Sequence, residues 1–429
     1  MNPKGPLGRI RTSVALTAAR AATTASRATG RGAGGMIGGL VAGAIDPTVM
    51  EHLGAGRPTV LVTGTNGKST TTRMLAGALR STYTVATNDG GDNMDAGIIS
   101  ALLAGRDASH VVLEVDELHV PRVAERLNPE AIVLLNLSRD QLDRVGEINS
   151  IERALRGAIN AHPEATIIAN CDDVLVTSAA WDHPNVVWVA AGSSWVGDSV
   201  TNPRSGGHIV RTTTASGEAD WYAVEKLADG REFRRPTPAY AVDDEGLHTP
   251  GGTVPLELRL PGRANRGNAA QAVAAAVEAF GVDLDKAVRA AGEVDSVAGR
   301  YTTVRLGDHD VHLLLAKNPA GWQEALSMLD RDADGVVIAV NAKQGDGADV
   351  SWLWDVAFED FGETKVVAAG ERATDLAVRL LYAGIDHQLV HDPVEAIRAC
   401  PPGRVEVLAN YTALLGLRKA LTRQEDYRA

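Results

Sequence analysis

Val60-Leu61-Val62-Thr63-Gly64-Thr65-Asn66-Gly67-Lys68-Ser69-Thr70-Thr71-Thr72 is the segment from which the rest of the 429-residue chain is read. Its first three residues form an apolar run of strand type. Glycines at 64 and 67 bracket a tight turn, and the residues from Thr71 to Leu79 follow a helical pattern. Strand, glycine turn and helix in that order are the context of a phosphate-binding loop. The glycines let backbone approach an anion. The amides and dipole of the helix start favour negative charge there. Lys68 is positioned to reach terminal phosphates, and the hydroxyl of Ser69 or Thr70 to bind Mg²⁺. The match to G-x-x-x-x-G-K-[ST] is incomplete, because Val62 stands where the first glycine would be. A glycine-rich strand–helix turn with no nucleotide is the competing reading. Lysine followed by successive hydroxyl residues directly after a buried strand argues against it. As a point charge on a solvent-accessible loop, Lys68 is expected to be dispensable for folding.

The length calls for two or three domains. With 45% apolar residues and a net charge of −12, the chain reads as globular and ill suited to general nucleic-acid binding. Two cysteines, Cys171 and Cys400, build neither a disulfide framework nor a cysteine metal cage. No apolar run reaches the length of a membrane span. The expected location is cytoplasmic, with peripheral contact at the inner face of the membrane.

Alternating strand and helix patterns predict an α/β fold with a parallel sheet around the phosphate loop. Strands are expected at Tyr83–Ala86, Val111–Val115, Ala131–Leu135 and Ile167–Ala169. Polar clusters follow them: residues 88–93 (NDGGDN), Glu114 with Asp116 and Glu117, residues 136–144 (NLSRDQLDR), and Asn170 to Asp173. Strand ends of this kind are where α/β sheets bind ligands. An acid emerging from a strand beside a phosphate loop is the usual second support for Mg²⁺, so Glu114 is the candidate metal ligand with Ser69. Residues 11–28 read as an Ala-rich helix, and Gly30 to Gly43 as a flexible linker. Residues 192–250 read as a small β insertion, and a helix begins near Pro261. A second, Rossmann-like alternation runs to the end. The expected domains are 1–45, 46–297 and 298–429. Trp352 and Trp354, by alternation, are expected to share one interface-forming face.

These motifs, taken together and in order, resemble the Mur ligase family. The carriers are TGTNGKST at 63–70, Glu114 in LEVDE, Asn136 in NLSRDQLDR, Asn170 with Asp172-Asp173, and NRGNAA at 265–270. The stretch before Val60 is too short for the UDP-sugar domain that ordinary members carry. With LAKNPAG at 315–321, NAKQGDGADVSWLWD at 341–355 and Tyr411-Thr412-Ala413, the resemblance is to the branch that amidates lipid II. That resemblance implies ATP and Mg²⁺. Gly64, Thr65, Asn66, Gly67, Lys68, Ser69 and Thr70 would hold the phosphates, Asn268 the adenine, and Arg300, Lys317 and Asn318 would bring the second domain to the nucleotide. It implies conversion of the D-isoglutamate α-carboxylate of the lipid II stem peptide to D-isoglutamine through an acyl phosphate. The ammonia would come from a GatD-type class I glutamine amidotransferase partner. That partner would borrow an orienting carboxylate from this chain: Asp349, with Asp346 and Asp355 as alternatives. A helix cap at a helix starting near Val350 is the other role open to Asp349.

Two departures from the branch stand out. The four cysteines of a zinc ribbon are replaced by Asn202, Ser205, Ala223 and Lys226, so no zinc is expected. Gln141 stands where many relatives have a histidine near a second Mg²⁺. The alternative functions are an amino-acid-adding ligase resembling folylpolyglutamate synthase, and a non-catalytic ATP-binding scaffold. Intact Lys68 and Glu114 argue against the scaffold.

Overall fold

The computed structural model describes residues 6–28, 36–88, 90–139, 147–192, 195–214, 217, 219–295, 301–330, 332–343, 345–361 and 364–428. The chain forms two compact units, Met1–Leu137 with Ile148–Asp295, and Ser138–Glu147 with Ser296–Ala429.

In the first unit, helices α1 (Pro6–Ala28), α2 (Ile37–Ile45) and α3 (Val49–Gly54) precede β1 (Thr59–Thr63). There follow α4 (Lys68–Arg80), β2 (Val85–Thr87), α5 (Asp95–Ala104), β3 (His110–Glu114), α6 (Val120–Leu127), β4 (Ala131–Leu134), α7 (Glu147–Asn160), β5 (Thr166–Asn170), α8 (Val174–Ala180) and β6 (Val186–Ala190). Short strands β7 (Ile209–Thr213), β8 (Ala219–Ala223), β9 (Tyr240–Val242), β10 (Leu247–Thr249) and β11 (Gly252–Val254) lead to α9 (Arg263–Phe280) and α10 (Leu284–Gly292). Nine strands make one sheet in the order β11-β10-β9-β6-β5-β4-β1-β3-β2. From β2 to β9 the pairing is parallel, and β10 and β11 close the edge antiparallel. The chain leaves β1 for β2 and β3 on one side, then crosses to β4 on the other. The carboxyl end of β1 is therefore the switch point where such sheets hold ligands.

Strand alternation divides the buried residues between two faces. Leu61, Leu113, Ile132 and Ile167 share a core with Ile98 and Leu102 of α5, Val120 and Val123 of α6, and Leu155 and Ile159 of α7. Their sequence neighbours Val60, Val62, Val112, Val133 and Ile168 are equally buried. They point to the opposite face. Alanines 269, 270, 272 and 274–276 of α9 are all buried, and this small-residue surface brings α9 against α4 and the sheet.

Two expectations for this unit change. The glycine-rich stretch is not a linker from residue 37 onward. It is α2, packed on α1 and α5. A Cβ at Gly39 would lie 1.8 Å from the Ala96 carbonyl oxygen, so close helix approach, not flexibility, explains the glycines. Burial against α5 outweighs their poor helix propensity. The insertion is also less separate than its composition implies. Among the described residues only β7 and β8 form an independent hairpin, while β9–β11 extend the main sheet. The insertion is held by a small core of Val174, Ile209, Trp221, Leu227 and Phe233 and by a 2.7 Å Arg235–Asp172 ion pair. Where the resemblance would place the first ribbon cysteine, Asn202 donates its backbone N–H to Gly207 and accepts from the amides of Arg204 and Gly206.

The second unit carries β12 (Tyr301–Leu306), β13 (His309–Leu315), α11 (Pro319–Met328), β14 (Gly335–Ala339), β15 (Val366–Ala369), α12 (Ala373–Tyr382), β16 (His387–Leu389), α13 (Pro393–Arg398), β17 (Gly403–Ala409), α14 (Tyr411–Leu421) and β18 (Tyr427–Arg428). Its seven-stranded sheet runs β16-β15-β14-β17-β13-β12-β18, parallel as far as β13. Residues Ser351–Trp354 form a 3₁₀ turn, not an α-helix. That overturns the shared face expected of the two tryptophans, because residues two apart diverge around a 3₁₀ turn. Trp352 is buried with its ring centroid 5.3 Å from that of Trp322, whereas Trp354 is exposed beside Tyr382. Among the described residues no helix is long and apolar enough to cross a membrane.

Candidate active site

The turn between β1 and α4 is built from both neighbouring strands. Thr65 N–H donates to the carbonyl of Asn136 beyond β4 at 2.9 Å. The Asn136 side chain then clamps Asn66, accepting from its amide at 2.9 Å and donating to its carbonyl at 3.0 Å. Gly67 has φ 85°, and a Cβ there would sit 2.5 Å from Oδ1 of Asn268. Only glycine permits this close approach in a left-handed conformation. Helix α4 opens at Lys68 with no side chain capping its first amides. An uncapped helix start aimed along a glycine turn suits phosphate.

Lys68 is not solvent-accessible as expected; it is buried. Its ammonium donates to the Gly64 carbonyl at 2.6 Å and the Thr65 carbonyl at 3.3 Å, and lies 3.4 Å from the Glu117 carboxylate. The partner acid is 49 residues away in sequence, and only the fold reveals the pairing. Ser69 and Thr70 are buried at the first turn of α4.

Glu114 ends β3, in register with Val62 of β1. Its backbone N–H donates to Asn88 Oδ1 and its carbonyl accepts from Asn88 Nδ2, both at 2.8 Å. One carboxylate oxygen accepts from Asn93 at 3.1 Å, and the other, Oε2, is buried without a partner. A buried carboxylate oxygen left unpaired is costly, and a divalent cation would satisfy it. The unpaired oxygen of Glu114 thus fits a divalent cation such as Mg²⁺, which Glu114 would hold with the Ser69 or Thr70 hydroxyl.

Behind the loop, Asp173 accepts from the amides of Leu137, Leu175 and Val176, fixing the chain beyond β4 and capping α8. Burial pushes its carboxyl up to about 6, against those three amides. Gln271 of α9 donates to the Leu134 carbonyl at 2.8 Å. Sequence reading marked the cluster at 170–173 but not the function of Asp173 as a clamp, and it missed Gln271 altogether. Asn268, expected at adenine, has its amide against Gly67 and 3.4 Å from Asn265.

The second unit holds the remaining candidates. Asn318 is buried and caps α11, accepting from Gly321 N–H at 2.8 Å, and Lys317 lies 5.4 Å from the Tyr411 ring centroid. Arg300 and Gln141 lie outside the described residues. Asp346 has both carboxylate oxygens engaged by Thr412, one by its amide and one by its hydroxyl. Asp349 is exposed. It accepts from Ser351 N–H at 2.8 Å, and the Ser351 amide and hydroxyl hold its carboxyl below the usual carboxylate range. Asp355 is also exposed. Neither cysteine has a catalytic setting. Burial pushes the Cys171 thiol up and the Cys400 thiol up to about 11, and the His309 ring meets the Cys400 carbonyl, not its sulfur.

Residues 62–276 match the family model of the Mur ligase middle domain. The chain belongs to the Mur ligase family. Residues 315–414 of this Mur ligase also match the MurT ligase C-terminal model. It is 27% identical over 409 residues, covering 89% of this chain and 91% of the relative, to the lipid II isoglutaminyl synthase (glutamine-hydrolyzing) subunit MurT of Streptococcus pneumoniae. The subunit of the same name from Staphylococcus aureus is 26% identical, covering 85% of this chain and 87% of the relative. Among solved structures, a pseudomurein peptide ligase type C from Methanothermus fervidus aligns with TM-score 0.65 at 16% identity, covering 88% of this chain and 81% of that one. MurF from Acinetobacter baumannii aligns with TM-score 0.64 at 19% identity, covering 90% and 80%. These likenesses confirm the α/β Mur ligase fold read from the phosphate loop, and family membership makes the chain an ATP-dependent amide-forming ligase.

Proposed function

We propose that this chain is the ATP-consuming synthetase subunit of a glutamine-dependent lipid II amidating enzyme. The observation that carries the chemistry is the buried, half-paired carboxylate of Glu114 beside the uncapped, lysine-bearing start of α4. The substrate assignment draws on the similarity to MurT subunits, which runs through both units.

A carboxylate does not react with ammonia directly, because its oxygen is a poor leaving group. In the proposed reaction the D-isoglutamate α-carboxylate of the stem peptide attacks the γ-phosphorus of ATP, and ADP departs. Ammonia then attacks the acyl carbon, the C–O bond to phosphate breaks, and nitrogen's proton leaves with inorganic phosphate. Protein groups position the phosphates and neutralise charge. Lys68 exchanges its contacts with Gly64 and Glu117 for the terminal phosphates. The amides at the start of α4 hold the phosphate oxygens, and Asn136 keeps the loop in shape. Magnesium bound at Glu114 would offset charge developing on those oxygens. Asn268, Lys317 and Asn318 are assigned to the nucleotide by family resemblance, with Asn268 reaching it from the floor of the loop.

The ammonia source is a GatD-type class I glutamine amidotransferase, docked on the second unit. Trp354 is 55% exposed and Tyr382 75%, and the two rings meet edge to face at 5.4 Å. Exposed aromatics of this kind favour a protein interface. Asp349 is the carboxylate lent to the partner's Cys–His pair, since Asp346 is committed to Thr412. The test is turnover by the purified chain with its glutaminase, ATP, lipid II and glutamine, read as ADP release and acid-to-amide mass change. Turnover that requires an added amino acid in place of ammonia would replace this reading with an amino-acid-adding ligase.

A further inference from the structure

The first 45 residues hold Lys4, Arg9, Arg11, Arg20, Arg27 and Arg31 and no acidic residue, in a chain of net charge −12. The remainder therefore carries 36 basic against 54 acidic residues. This charge segregation coincides with an unusual helix surface. One stripe of α1, Ala15, Ala19 and Ser26, is buried. A second stripe, Val14, Ala21 and Ala25 with half-buried Ala18, follows the same helical spacing on the outward arc, with Val14 54% exposed. Arg11 and Arg20 are exposed on the same helix. On α2, packed against α1, Ile37 and Leu40 are exposed, Leu40 by 57%. The fold uses one apolar stripe of α1 and leaves the other facing outward among arginines.

We propose that the α1–α2 face docks on an anionic lipid surface. A surface helix with an apolar arc, flanking arginines and no acids is the pattern that lies in a bilayer interface. Acidic lipid headgroups complement the arginines, and the acyl boundary takes Val14 and Leu40. A second copy of the chain would place two basic faces together, and charge repulsion disfavours that pairing. Docking would bring the ligase to a lipid-linked acceptor, so the inference deepens the proposed function, although it stands on charge and exposure alone.

The experiment is co-sedimentation of the full chain with vesicles of phosphatidylcholine, with and without phosphatidylglycerol. Binding is expected only with phosphatidylglycerol, and added salt should weaken it. Arg20→Glu should lower partitioning roughly tenfold, and Leu40→Ser several-fold, with melting temperatures unchanged because both side chains are exposed. Equal binding to both vesicle types, or variants that bind like wild type, would overturn the proposal. So would light scattering that shows a dimer dispersed by Leu40→Ser with no vesicle binding, which would make the face a contact between copies. Amidation of detergent-dispersed lipid II separates the two readings. A chain that amidates in detergent but never binds vesicles refutes docking alone. One that binds vesicles but never amidates refutes the function alone.

Discussion

Lys68 and Glu117 are buried 3.4 Å apart, so neither can be changed without stranding the other. A buried carboxylate deprived of its partner costs about 3–5 kcal/mol. Lys68→Ala is therefore expected to lower the melting temperature as well as abolish ATP-dependent amide formation. Lys68→Ala/Glu117→Gln should restore much of the stability and none of the activity. Thermal unfolding and ADP release measured on the same samples check both parts, and a double variant that regains turnover would remove Lys68 from the phosphate site. Glu114 gives the opposite sign. Its Oε2 has no partner, so Glu114→Gln relieves an uncompensated buried charge while keeping the acceptor for Asn93. The variant should be at least as stable as wild type yet bind Mn²⁺ more weakly, by calorimetry. A destabilised variant with unchanged Mn²⁺ binding would mark Glu114 as structural.

At the scale of elements, α1 is tied to the first unit through Asp46. That buried carboxylate accepts from the Thr12 hydroxyl at 2.6 Å and the Thr48 hydroxyl at 2.7 Å, and His52 lies 3.5 Å away. Burial works against its ionisation, but the hydrogen bonds from Thr12 and Thr48 prevail and hold its carboxyl below the usual range. A lowered folded pKa adds stability above the unfolded value of about 3.9, and that stability is lost as pH falls through the folded value. The docking of α1 should thus be constant near neutrality and loosen in acid. Asp46→Asn should loosen it at pH 7 by roughly 1–2 kcal/mol. Hydrogen exchange of α1 amides against those of β1 measures this; equal protection in wild type and variant would show that α1 is held by apolar packing alone. Elements differed in how far they could be read. The apolar runs at β1, β3 and β4 were legible because strands buried on both faces leave continuous Val/Ile/Leu segments. β9–β11 are three residues each, and tertiary pairing, not local pattern, makes them strands. α2 was hidden because its glycines signal a loop until Ala96 is seen opposite Gly39.

Across the whole molecule, the chemistry legible in sequence was local: a lysine on a glycine turn and an acid at a strand end. Its supports, Asn136 on Asn66, Asn88 on the Glu114 backbone and Gln271 on Leu134, join segments far apart in the chain, and no spacing announces them. The division of labour between the units can be tested at Asp349. The exposed carboxylate accepts from Ser351 N–H, so a simple capping role is fully compatible with the fold. Asparagine caps as well as aspartate, and Asp349→Asn should leave the melting temperature unchanged. If the carboxylate orients the partner's histidine, the same substitution should lower glutamine-driven amidation by roughly 10³- to 10⁴-fold. Amidation driven by added ammonium salt should stay at the wild-type rate, because the substitution alters none of the residues assigned to ATP. Lys68→Ala, by contrast, should abolish both reactions. Loss of the ammonia-driven reaction in Asp349→Asn would place the residue in the synthetase chemistry itself. Full glutamine-driven activity would leave it only a cap, and Asp355, the other exposed acid of the segment, would take its place as the residue to substitute.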